Sequence, residues 1–65
     1  MNEIECMIDD VAAEIVVLLM TKRNMSFLEA IDTVYTSDTY SKLCDKETGL
    51  YYQSPKYVYS FLEHE

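Results

Sequence analysis

The chain has one glycine, one proline, one histidine and no tryptophan in 65 residues. A sandwich of short strands needs tight turns every eight to twelve residues or so, and one Gly with one Pro cannot supply them. Basic residues are also scarce. Five Lys and Arg stand against twelve Asp and Glu, for a net charge of −7. Phosphate backbones repel such a surface, so direct binding of nucleic acid is not expected. The same charge suits attraction to a basic protein partner. The longest apolar run, Ile15-Val16-Val17-Leu18-Leu19-Met20, is far short of the ~20 residues a membrane span requires.

The two cysteines, Cys6 and Cys44, form no CxxC pair, and residues 1–14 carry five acids and no base. No basic stretch leads into an apolar one there, as an ordinary secretory signal requires. The expectation is a cytoplasmic protein with two reduced thiols.

Apolar residues make up 49% of the chain, enough for a packed core and too many for simple disorder. Neither a repeat nor a linker divides it, so residues 1–65 read as a single helical domain. Chains this short bury a modest share of their surface and commonly draw extra stability from disulfides, metals or oligomers.

The spacing predicts an all-α fold, a small bundle of three to four helices with a long N-terminal helix. Over residues 3–23, Ile4, Met7, Ile8, Val11, Ile15, Leu18 and Leu19 recur three or four apart and define a core face. Acids crowd the first half and Lys22 and Arg23 close the last turn, both favourable to the helix dipole. Asn24 suits a left-handed stop. Val and Ile favour strands, but here they lie inside a twenty-residue helical period. Ser26 and Glu29 form a capping box that starts a second helix ending near Tyr35. Its apolar face reads Phe27, Leu28, Ile31, Val34 and Tyr35. A short third helix begins at Thr36 or Ser37 and points Tyr40, Leu43 and Cys44 inward. Gly49 provides a positive-φ position after a polar loop. Leu50 to Gln53 read as extended. Ser54 and Pro55 open a last helix as N-cap and first residue, with Tyr57, Val58, Phe61 and Leu62 on its apolar face and Tyr59 off it.

Little in the chain points to catalysis. His64 lies one residue from the end of the sequence, where helices fray. Glu5/Asp9 and Asp10/Glu14 are pairs one turn apart, yet dinuclear helix-bundle sites need Glu-x-x-His motifs that are missing here. No EF-hand, zinc or phosphate-loop spacing occurs. Cys6 sits among acids, which oppose thiolate formation, and Cys44 reads as buried and inert. No catalytic residue, metal or cofactor is expected, and the chain is not read as an enzyme.

A second apolar stripe does call for an explanation. Cys6, Ala13, Val16, Val17 and Met20 gather roughly opposite the core face. Three short helices are too few to wrap a ~30 Å rod on both sides, and an exposed contiguous patch marks an interaction surface. A two-fold homodimer in which first helices pair is the expected solution. Ala13, Val16, Val17 and Met20 are its candidate contacts. The tyrosine rings of the C-terminal segment are expected to pack it across the first two helices, with an aromatic partner surface that includes Tyr51, Tyr52 and Tyr59 as the alternative.

The ending Thr48-Gly49-Leu50-Tyr51-Tyr52-Gln53-Ser54-Pro55-Lys56-Tyr57-Val58-Tyr59, followed by Phe61-Leu62-Glu63, resembles the close of a group of very short bacterial proteins that carry a domain of unknown function. In these an apolar helix, a Ser-capped helix, a Tyr/Leu segment and a last aromatic helix correspond here to residues 8–62. The resemblance implies a small helical accessory protein, in some genomes encoded beside toxin-like genes, with no catalytic residues to carry over. The functional expectation is a self-associating interaction module. Its alternative is an antitoxin-like or nucleic-acid-mimicking regulator that binds a basic protein.

Overall fold

A computed structural model describes residues 3–65 of the chain. Helix α1 spans Glu3–Lys22, α2 Phe27–Tyr35, α3 Asp38–Cys44 and α4 Pro55–Glu63. Two single turns of 3₁₀ helix, Lys46–Thr48 and Leu50–Tyr52, link α3 to α4. No strand occurs among the described residues. The twenty residues of α1 rise about 30 Å, which matches the 31 Å longest dimension of the molecule. Every other element packs on this rod or on its neighbours. α1 rests mainly on α2 and α4, while α3 bridges to α4 and the Leu50–Tyr52 turn.

Local chemistry places the helix ends. Ser26, Ser37 and Ser54 each accept the amide N–H three residues on, from Glu29, Tyr40 and Tyr57, at 3.2, 3.1 and 3.2 Å. Each bond satisfies a donor that the first helical turn leaves unpaired. Asn24 ends α1 in the left-handed region at φ 54°, and the Met25 N–H donates back to the Leu19 carbonyl. Gly49 takes φ 68° between the two 3₁₀ turns. Residues 50–52 are therefore helical rather than extended. The Tyr52 and Gln53 amides donate to the Gly49 and Leu50 carbonyls, both at 3.0 Å. Thr48 fastens the loop, its hydroxyl donating to the Lys42 and Asp45 carbonyls at 2.6 and 2.8 Å.

The core stripe of α1 is Ile8, Val11, Ala12, Ile15, Val16 and Leu19, a run of i, i+3, i+4 spacings. Ile4, Met7 and Leu18 of the expected core face flank it and are half-buried. Val16, expected on the opposite face, is buried at 5% exposure. At 100° per residue it lies only ~40° beyond Ala12, so α2 covers it. The apolar face of α2 divides. Ala30 and Val34 are buried and Ile31 half-buried, whereas Phe27, Leu28 and Tyr35 are exposed. The inward face of α4 is Val58, Tyr59 and Leu62. Tyr57 and Phe61 stand outside, stacked edge to face at 5.1 Å. Tyr59 thus exchanges places with Tyr57 relative to the sequence reading. Its ring lies 6.0 Å from both Lys22 Nζ and Arg23 Cζ, within cation–π range. Cys44, expected buried, is exposed, as is Cys6.

Candidate functional site: two hollows on the first helix

The wheel position of α1 decides what its uncovered surface looks like. Along one flank, α2 runs back from the Asn24 corner but is only nine residues long. Its contact face is built on Ala30, a side chain too short to shelter the outer half of α1. The result is an apolar groove of about 260 Å³. Ala13, Val16, Val17 and Met20 line it from α1, and Phe27, Ile31 and Tyr35 from α2. Val16 forms the floor. Ala13 leaves the hollow, and the walls stay open to solvent, with Val17 at 52% and Phe27 at 56% exposure. Leu28, at 77%, extends the apolar surface beyond the lip.

Tyr35 meets Tyr40 at the far end of α2, ring centroids 4.6 Å apart and 73° between planes. The Tyr40 hydroxyl is pushed up to about 12, first by burial and then by a hydrogen bond with Cys44 and the nearby Cys44, Tyr35 and Asp9 charges. A phenol in this state stays neutral at physiological pH and offers no base for proton transfer.

The second hollow, about 240 Å³, lies on another flank of α1 and is lined by Met7, Asp10, Val11, Glu14, Tyr51 and Pro55. Asp10 and Glu14, one helical turn apart, are exposed carboxylates at its rim. Tyr51 is buried and stacks on Tyr52 at 4.5 Å. Burial and the neighbouring Tyr52 raise the Tyr51 hydroxyl above its ordinary value.

The sequence candidates therefore separate into three settings. Ala13, Val16, Val17 and Met20 share one groove, with Val16 as a buried base rather than an exposed contact. Tyr51 belongs to the other hollow, beside an exposed Tyr52. Tyr59 is part of the core rather than the surface. Phe27, Ile31 and Tyr35 line the groove from α2, although the sequence reading counted them only as part of that helix's apolar face. The available signal was quantity, since six apolar side chains in a nine-residue helix exceed what one face can bury. Among the described residues, no group of three or more His, Cys, Asp or Glu is close enough to hold a metal ion, and no helix is long and apolar enough to cross a membrane. No protein-family model, curated protein or solved structure matches the chain.

Proposed function

We propose that this protein is a small acidic interaction module of the bacterial cytoplasm, without catalytic activity, that self-associates through α1. The supporting observation is the groove. Val17, Met20, Phe27 and Tyr35 are large apolar side chains, each at least 36% exposed, gathered around one hollow. Full burial of such a side chain from water is worth ~1.5–3 kcal/mol, and these four have about half of that still to gain, together comparable to the whole stability of a domain this small. Wild-type protein at tens of micromolar should sediment as a dimer. Val17→Glu should return it to monomer, with dissociation at least ~30-fold easier and helical circular dichroism preserved. A wild-type chain that stays monomeric throughout that range would remove the reading.

The rim of the second hollow favours one further reading. Asp10 and Glu14 beside an apolar cavity suit the stem and charged head of a Lys or Arg from a basic partner, in line with an antitoxin-like role. Mimicry of a nucleic acid receives less support. Beyond the five acids of α1, the carboxylates are spread over α2, α3, the following loop and α4, with no continuous phosphate-like row. Capture of a basic host protein that Asp10→Asn with Glu14→Gln abolishes would support the partner reading. Capture insensitive to both changes would count against it.

A further inference from the structure

We infer that the groove is filled by the same groove of a second copy, with the two α1 helices antiparallel about a two-fold axis. This rests on the self-association proposed above and specifies its geometry. Shape is the first reason. On α1 the groove runs from a hole at Ala13 to a knob at Met20, with Val16 and Val17 between. An axis through its midpoint sets Ala13 against the partner's Met20, so each copy supplies what the other lacks, as an isologous interface requires. Parallel pairing would oppose Ala13 to the partner's Ala13 and leave a void, while the two methionines would crowd each other.

Charge is the second reason. The exposed acids Glu5, Asp9 and Asp10 lie toward the N-terminal end of α1, while Lys22 and Arg23 at its other end are turned to Tyr59 on the α4 flank. Antiparallel helices keep the acidic ends of the two copies apart and oppose their dipoles. Parallel helices would align carboxylate with carboxylate in a chain already at −7. The demand for area sets the extent of the interface. A stable interface takes about 800 Å² per partner, near a fifth of the 4377 Å² this chain exposes. α1 alone is too narrow for that, whereas α1 with Phe27, Leu28 and Tyr35 of α2 offers a broad apolar face.

Cys6 is an exposed reporter near the N-terminal end of α1. In the antiparallel dimer the two Cys6 positions stand about 30 Å apart along the axis. In a parallel one they approach to the 8–10 Å spacing typical of packed helices. Spin labels on Cys6 in a Cys44→Ser background should report the long distance by pulsed electron resonance, and mild oxidation of the Cys44→Ser protein should give no Cys6-linked dimer. Ala13→Leu provides a second measurement at an exposed position that leaves the fold intact. It should weaken the dimer at least ~10-fold, because it fills the hole intended for the partner's Met20. A short label distance, rapid Cys6 cross-linking, or a dimer tightened by Ala13→Leu would overturn the antiparallel arrangement while leaving self-association standing. A wild-type protein that is monomeric in sedimentation equilibrium would overturn both.

Discussion

The two flanks of α1 carry similar side chains and meet opposite fates. On the α4 side, Val58, Tyr59 and Leu62 close over the rod, Leu50 and Tyr51 add to them, and Lys22 and Arg23 cover the Tyr59 ring. On the α2 side, Ala30 and Val34 make the inward contact while Val17, Met20, Phe27 and Tyr35 remain in water. Apolar character alone does not decide burial here. What decides it is how much covering chain reaches each flank. The C-terminal segment brings the Leu50–Tyr52 turn and a nine-residue helix to one side, and a nine-residue helix alone serves the other. An uncovered flank of this kind is a functional surface or an aggregation liability.

The sharpest way to break the comparison is to shorten one side chain on each flank. Leu19→Ala removes a fully buried residue and should cost about 2–5 kcal/mol, because a cavity is added to the lost transfer energy. In a domain of this size that approaches complete unfolding. Val17→Ala removes a half-exposed residue and should change the stability of the isolated monomer by less than about 0.5 kcal/mol. Urea denaturation followed by circular dichroism, at protein concentrations below dimerisation, measures both. Equal losses would mean that the groove is not an open surface.

A smaller effect tests what holds the closed flank in place. Ser54→Ala leaves the Tyr57 amide without its 3.2 Å acceptor and should cost about 1 kcal/mol. Amide exchange should quicken in α4 first, since local opening follows the weakened element. Ser26→Ala, which releases the Glu29 amide, should cost a similar amount but loosen α2 and the groove. If either cap change loosened both flanks equally, the two sides of α1 would be one cooperative unit rather than two.

These residues also show where a sequence can be read and where it cannot. The extent of α1, the Ser26 and Ser54 caps, the Asn24 stop and the Gly49 turn follow from chemistry within four residues of each position, and all are present. The inward faces of α2 and α4 do not follow from such chemistry. On α4, Val58 and Leu62 are shared by two readings of the wheel, one adding Tyr57 and Phe61, the other Tyr59. The sum of apolar character favours the first. Packing selects the second, since Tyr59 can lie beneath Lys22 and Arg23 while Tyr57 and Phe61 shield each other outside. On α2 the same ambiguity concealed half of the groove. The second apolar stripe of α1 was visible in the sequence, but Val16 lay close enough to the core stripe to join it.

The smallest effect concerns a long-range polar contact between the end of the closed flank and α3. The Glu65 carboxylate accepts the Asp38 N–H through Oε1 and the Thr39 hydroxyl through Oε2, both at 2.7 Å. Thr39 is itself buried, so this pairing satisfies a hydroxyl that water cannot readily reach. The Thr39 hydroxyl, with help from the Asp38 and Thr39 amides and Lys42, holds the Glu65 carboxyl below its ordinary 4.5. Because the folded value is the lower one, the contact stabilises the fold above about pH 4.5, and that contribution fades as pH falls through the folded value. The carboxylate is largely exposed, so screening keeps the effect below that of Ser54→Ala. Thermal unfolding between about pH 6 and pH 3 should therefore decline slightly more steeply for wild type than for Glu65→Gln, whose amide does not titrate. Val17→Ala, on the open flank, should keep the wild-type slope. If Glu65→Gln and wild type had identical pH profiles, the Glu65 contact would contribute nothing to stability, and the closed flank would owe its order to apolar packing alone.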